Sequence, residues 1–307
     1  MFRKGIGKVN AYYWKHEYAG KTTVTVFGIF LVAVTIFLVG FLAIKGLATF
    51  TNDGQNPLLF LISTNWNPSD SGIPDPTASY GAAIFIVGSV LLSGFALLIS
   101  SPFSVSTAMF ISEISPTIGQ RVVQPVVEIF VGIPSVVYGW IGLTVLVPFI
   151  RNSFGGLGFS LLAGALVLAL MIFPTITSIS VDSFKSLPAE YKEASYALGA
   201  TRWQTIRKVL LPAALPGILT GIVLGLARAF GEALAVQMVI GNTIRIPGSP
   251  LDSMVNLTSI ITLDMANTAM GTTFNDALWS MALLLLGISF IFIILIHIVG
   301  GGRRKAK

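Results

Sequence analysis

The sequence predicts an all-α membrane protein with six transmembrane helices. Three observations carry that expectation. Of 307 residues, 54% are hydrophobic and 10% are charged, against roughly 25% charged in soluble globular domains. Apolar runs of about 18 residues or more recur along the chain, each long enough to cross a hydrocarbon core about 30 Å thick. None shows the alternation of a membrane β-strand, and lipid cannot satisfy free backbone groups, so the runs must be helical.

The runs fall at about 22–47, 79–103, 122–150, 158–182, 213–240 and 276–299. The first follows Lys15 and Lys21 and so has the flank of a signal peptide. It is too long for a cleavable apolar core and has no small-x-small site before Lys45, so a retained signal anchor is expected. Residues 48–78, rich in Asn, Asp, Ser and Pro, separate this first helix from the other five, which are expected to form one helical domain over 79–299. Pro134 and Pro148 interrupt the third run, and Gly155-Gly156 marks the turn after it.

Lys and Arg set the orientation. They cluster in the tail 1–21 (Arg3, Lys4, Lys8, Lys15, Lys21), in 183–212 (Lys185, Lys192, Arg202, Arg207, Lys208) and in the tail 300–307 (Arg303, Arg304, Lys305, Lys307). The 48–78 loop has none, but carries Asp53, Asp70 and Asp75, and 241–275 has only Arg245. Six spans put the three basic segments on one side, which the positive-inside rule makes cytoplasmic. The net charge of +6 is then a matter of membrane orientation rather than of nucleic-acid binding.

Several chemistries are excluded. The chain has no Cys, and its two His, His16 and His297, stand near opposite ends, so thiolate and histidine metal sites are not expected. Gly20-Lys21-Thr22 looks like the end of a phosphate-binding loop, but Lys15 occupies the place of the first Gly and the stretch opens a membrane span. No nucleophile–base constellation is apparent.

The polar island between the fourth and fifth runs has helix signals at both ends. Pro188 suits a first turn and Glu190 suits the helix dipole. Gly199 stops that helix, and Thr201 caps a second one over Arg202 to Leu211. The expected product is a short helix-turn-helix lying across the cytoplasmic face, with Ala194, Ser195 and Ala197 leaving a shallow surface for another protein.

Glu193-Ala194-Ser195, then three residues, Gly199, nine residues and Val209-x-Leu211-Pro212 resembles the EAA loop of binding-protein-dependent ABC importer permeases. Ser195 and Val209 depart from the usual Ala and Ile. The resemblance implies the MetI-like, type I permease fold. It also implies that Glu190, Glu193, Ala194, Ser195, Gly199, Leu211 and Pro212 dock onto a separate ATPase subunit, which would bind ATP and Mg.

The fifth run holds Arg228 and Glu232 four residues apart, hence on one helix face. Charge inside a membrane faces protein or water. The two residues either line a pathway, with Arg228 attracting an oxyanion and Glu232 compensating it, or form an ion pair that locks two helices. The stretch Arg228-Ala-Phe-Gly231-Glu232-Ala-Leu-Ala-Val236 resembles the PstC-type permease of the phosphate-specific ABC importer, as does Phe130-Val-Gly132-Ile-Pro134-Ser135-Val-Val-Tyr138-Gly139. That resemblance places Arg228 and Glu232 on a phosphate pathway. It implies a PstA-type sister permease, two copies of a PstB-type ATPase and an extracytoplasmic phosphate-binding protein as partners, in a prokaryotic cytoplasmic membrane. Ser135 and Tyr138, beside the Gly132-Ile-Pro134 break, are candidate donors to phosphate, or else mark a kink that only shapes packing. Glu128 is expected at a helix end or interface. Gly217, Gly221 and Gly225 form a small-residue face, expected to pack within this subunit. The rival functions are an ABC permease for another oxyanion, such as sulfate or molybdate, or for an organic solute, and an ion-driven secondary transporter.

Overall fold

The computed structural model describes residues 5–69 and 78–301, with side chains over 20–69 and 78–298. Asp70 and Asp75 and most of the basic residues of both tails lie outside this set. Among the described residues, six helices are long and apolar enough to span a membrane: Gly20–Thr51, Ala83–Ile114, Ser135–Phe154, Leu161–Lys185, Arg202–Gly231 and Thr273–Ile298.

In chain order, α1 (Gly5–Thr51) leads to a small folded cap rather than an open loop. The cap holds α2 (Pro57–Ile62) and a two-stranded antiparallel ribbon, β1 (Trp66–Asn67) with β2 (Ser79–Tyr80). Its anchor is the Trp66 ring, which meets Tyr80, Phe85 and Phe274 edge-on at 5.1–5.9 Å. Next come α3 (Ala83–Met109), the one-turn α4 (Pro116–Ile118), α5 (Gln124–Gly132), α6 (Ser135–Ile141), α7 (Val147–Phe154) and α8 (Leu161–Lys185). The coupling-loop segment forms α9 (Glu190–Ala197) and α10 (Arg202–Thr205). It is followed by α11 (Leu211–Gly231), α12 (Leu234–Gln237), α13 (Leu257–Asp264) and α14 (Thr273–Gly301).

At the centre, α3 packs along α8. The contact is favoured by small residues on α3, Ser93, Ala96, Ser100, Ser104 and Ala108, each at most 2% exposed. Small side chains let membrane helices approach closely, and hydroxyls add bonds across the seam. Ser104 donates to the Phe173 carbonyl of α8 at 3.2 Å. The Gly217, Gly221 and Gly225 face of α11 also turns to α8. A Cβ at Gly225 would come within 2.8 Å of Ile176, and one at Gly217 would strike Ser183. Packing within the subunit is thus what these glycines serve. By contrast α1 is held mainly by α14, through Gly46 against Leu283 and a bond from Ser280 to the Gly46 carbonyl. Its membrane face is otherwise exposed.

Four π-helical turns occur among the described residues, at Phe110–Ile114, Gly119–Val123, Gly142–Leu146 and Ile206–Leu210. Each ends two residues before a proline: Pro116, Pro125, Pro148 and Pro212. Proline has no N–H for the carbonyl four residues back, and its ring presses on that carbonyl. The residue before it bonds five back instead, as Leu211 does to Ile206. The fifth span is therefore one bent helix from Arg202 to Gly231. The second coupling helix does not stop at Leu211-Pro212 as expected but runs into the membrane.

The other boundary corrections also have local causes. The third run, read over 122–150 with interruptions at Pro134 and Pro148, does break at Ile133-Pro134 but runs on through Pro148 to Phe154. The fifth ends at Gly231 rather than at 240. Beyond it, α12 is drawn onto α6, where a Cβ at Gly139 would sit 2.8 Å from the Ala235 backbone. Burial of Ala235, Val236, Val239 and Ile240 outweighs continuation of the helix.

Two stability predictions follow from the packing. Gly225→Val should cost about 1–3 kcal/mol by overpacking Ile176, read as a lower melting temperature in detergent, whereas Gly94→Ala, facing open space, should be neutral or stabilising. Just past the C-terminal end of α1, the Asp53 carboxyl is raised above its ordinary value, first by burial and then by the neighbouring Asp276, against a Thr273 hydrogen bond. A carboxyl raised by folding is stabilising only while protonated, so its contribution is lost as pH rises from about 3.8 through the folded value. Asp53→Asn should accordingly raise the melting temperature at pH 7 and leave it unchanged at strongly acid pH.

Candidate functional site

Two constellations stand out, one at the end of the bundle where α8 gives way to α11 and one halfway across it. At the first, α9 begins after Ala189, with Pro188 and Ala189 in the preceding turn. It ends at Gly199, whose φ of +78° only glycine adopts without strain. Thr201 caps α10 and forms a full capping box with Gln204, satisfying two orphan backbone donors reciprocally. The turn is thus rigid at both residues singled out for it.

Ser195 is not on the shallow surface expected of it. It is 7% exposed, and its hydroxyl meets that of the fully buried Thr205 at 2.9 Å. The bond buckles α9 to α10. What faces outward is Glu190, Glu193, Ala194 and Ala197, with a rim of large side chains: Tyr191, Tyr196, Trp203 and Leu198, the last 89% exposed. Below, Ile206 and Leu210 pack with Ala108, Ile111, Val181 and Phe184. Leu211 is half-buried and Pro212 exposed, at the bend of the fifth span. An exposed apolar tip on a rigid, internally bonded platform has the character of a protein-docking surface.

The second constellation surrounds Arg228. Its Nη1 donates to Thr175 Oγ1 at 2.8 Å. Thr175 follows Pro174 within α8, about 21 Å from one helix end and about 15 Å from the other at 1.5 Å per residue. The guanidinium therefore lies near the middle of the membrane, yet Arg228 is exposed in the single chain. Tyr138 is 7% exposed and donates to the Phe130 carbonyl at 2.8 Å. That carbonyl is the one that Pro134 leaves without its helical donor, so Tyr138 splints the α5–α6 break and is not a free phosphate donor. Ser135, half-buried, opens α6 at the same break.

Glu232 does not share a helix face with Arg228. It lies past the end of α11 in extended conformation (ψ 128°). Its Oε1 is 3.5 Å from the Ala235 N–H, and its carbonyl accepts from Thr258 Oγ1 at 2.7 Å. No Arg228–Glu232 ion pair forms among the described residues. Glu128 accepts from Gln124 Nε2 at an exposed position, consistent with a helix-surface role. Thr175 escaped the sequence reading; the Pro174-Thr175 pair inside an apolar run was the available signal.

Residues 100–305 match the model of the binding-protein-dependent transport system inner membrane component family. The chain belongs to that family. It is a permease subunit of an ABC importer, a multi-pass inner-membrane protein and not itself an enzyme. It is 54% identical to a probable ABC transporter permease protein, YqgH, of Bacillus subtilis (strain 168), over 94% of this chain and 92% of that one. It is 35% identical to the phosphate transport system permease protein PstC of Mesorhizobium japonicum, over 76% of this chain and 75% of that one. Among solved structures, an inward-facing MetNI methionine ABC transporter superposes with a TM-score of 0.50 at 25% identity, covering 69% of this chain and 91% of that one. A bacterial alginate ABC transporter in complex with its pentasaccharide-bound periplasmic protein gives 0.61 at 16% identity, covering 98% of each, which shows the shared permease fold.

The buckle between the permease's coupling helices is directly testable. Ser195→Ala strands the buried Thr205 hydroxyl and should cost about 1–3 kcal/mol. Adding Thr205→Val removes the orphan and should recover most of that loss in a melting-temperature double-mutant cycle.

Proposed function

We propose that this chain is one of two permease halves of an ATP-driven importer of inorganic phosphate. The observation that carries a substrate pathway is the placement of Arg228. A guanidinium at mid-membrane depth cannot face lipid. Its exposed face is therefore read as lining a hydrated path between this chain and a sister permease of the PstA type. Arg offers a planar fork of donors matched to tetrahedral oxyanions, and Thr175 holds that fork in place when no anion is present. Phosphate, rather than sulfate or molybdate, is favoured by the relatives named PstC.

Basic residues on the side that carries α9 and α10 support cytoplasmic termini and a cytoplasmic coupling surface. There the α9–α10 platform, with Glu190, Glu193, Ala194, Gly199, Leu211 and Pro212, docks one of two PstB-type ATPases, which hold ATP and Mg. Ser195 serves the same surface from within, as its buckle. A phosphate-binding protein delivers its ligand on the opposite face. Closure of the ATPases moves the platform and opens the path outward; hydrolysis returns it inward. For net import, phosphate must be held less tightly in the inward state than in the outward one. Glu232, at the outer end of α11 and within reach of the same path, weakens retention of the anion.

Proteoliposomes holding the chain with its co-purified subunits and binding protein test this. Wild type should accumulate labelled phosphate when ATP is supplied. Arg228→Ala, checked for intact assembly, should lower uptake about 10- to 100-fold, as expected for a lost hydrogen bond to a charged group. Thr175→Val should change the KM for phosphate with little effect on assembly. Equal uptake by wild type and Arg228→Ala would remove Arg228 from the path, and transport of sulfate or molybdate instead would overturn the substrate.

A further inference from the structure

The coupling helices touch the membrane bundle at a second point besides the covalent continuation of α10 into α11. Lys192 Nζ, on α9, forms an ion pair with Glu113 Oε2 at 2.8 Å. Glu113 sits in the π turn that ends α3 and is only 7% exposed, while Lys192 is 40% exposed. Arg202, the first residue of α10, donates Nη2 to the backbone carbonyls of Glu113 and Ile114, the latter at 2.9 Å. The chain leaves the helix at Ser115 (φ −140°, ψ 74°) just before Pro116. The last carbonyls of a helix have no helical donor of their own and take one from elsewhere, here from Arg202. One cation from each coupling helix thus reaches Glu113 in the π turn that ends α3, and Arg202 bonds Ile114 as well.

Each half of this contact has a different chemistry. Arg202 binds carbonyls, which any residue at 113 and 114 would supply. Lys192 binds a carboxylate, which only an acid at 113 supplies. A buried carboxylate stripped of the cation paired with it is strongly disfavoured, so α9 and the end of α3 are constrained to move together. Behind them, Ile111 and Ala108 of the α3 limb pack on Ile206 and Leu210, which closes the contact on its apolar side.

We propose that Lys192 and Glu113, backed by Arg202, form a transmission latch that makes the inner end of α3 move with the coupling helices. Because α3 is packed along α8, and α8 carries Thr175, the latch links the docking platform to the helix that holds Arg228. A permease with this latch has two routes for ATPase motion, one through α11 and one through α3. Lys192 and Glu113 are positioning residues, distinct from the docking surface and from the path. The proposal rests on the α9–α10 platform being the ATPase dock.

The chain has no Cys, which gives a test within a single protein. Glu113→Cys with Lys192→Cys removes the ion pair and places two thiols where it was. The full complex with its ATPases and binding protein is reconstituted, and phosphate uptake and ATP hydrolysis are measured together. Before cross-linking, uptake per ATP hydrolysed should fall about tenfold while the ATPases remain bound, within the usual range of coupling between sites. A short bifunctional thiol reagent should then restore the ratio toward wild type, which a merely structural role would not produce. The charge-exchanged pair, Glu113→Lys with Lys192→Glu, should likewise recover most of what Lys192→Met alone loses. An undiminished ratio in the uncross-linked protein, or no recovery on cross-linking, would overturn the latch. ATPases that fail to associate with the wild-type chain would instead overturn the docking surface on which the latch depends.

Discussion

Every bend in this chain has to account for a backbone carbonyl. Lipid offers no hydrogen-bond donor, so a helix interrupted inside it must find one in the protein. Prolines create the need repeatedly, and the chain meets it in two ways. Before Pro116, Pro125, Pro148 and Pro212 the helix widens into a π turn, in which the residue preceding the proline donates to the carbonyl five residues back. At Pro134 the helix breaks outright, and the Tyr138 hydroxyl reaches back to the Phe130 carbonyl. The same logic puts Thr258 on the carbonyl of Glu232 past the end of α11, and Arg202 on the end of α3.

These repairs coincide with the parts a transporter must move. The fifth span is continuous with α10, with no loop between them. Its π turn lies just before Leu211-Pro212. The α5–α6 break is irregular backbone, and irregular backbone at membrane depth is tolerated only against protein or water. Exposed apolar surface on α1, whose C-terminal part packs on α14, marks the rim of the bundle, whereas the α3–α8 seam of buried Ser and Ala is its centre.

Sequence patterns were most informative where a residue's effect is local. Gly199 and Thr201 announce a turn because a positive φ and an N-cap are properties of one or two residues. Gly217, Gly221 and Gly225 announce a close contact because their spacing follows the helix period. The small-residue stripe on α3 has the same signature and was legible by the same rule, although its serines read as ordinary apolar-span residues. Ser195 misled because a small polar side chain is equally suited to a surface and to a buried hydroxyl pair; its partner Thr205 is ten residues away. The Arg228–Glu232 spacing misled for a related reason. Four residues share a face only while the helix lasts, and the burial of α12 against Gly139 ends it at Gly231.

By itself the sequence determined six apolar helices, their alternating direction, the polar island between the fourth and fifth, and the permease family. These depend on hydropathy, on charge placement and on short motifs, all of which act through neighbours along the chain. Only the tertiary structure decided that Arg228 bonds Thr175, that Tyr138 repairs the break at Pro134, and that Lys192 and Arg202 grip the end of α3. Each joins residues separated by a helix or more, except the Tyr138 splint, whose need arises from a break that only packing makes final. Such partners are chosen by which unsatisfied group lies within reach once the helices have packed, and that choice is a property of three-dimensional proximity rather than of sequence order.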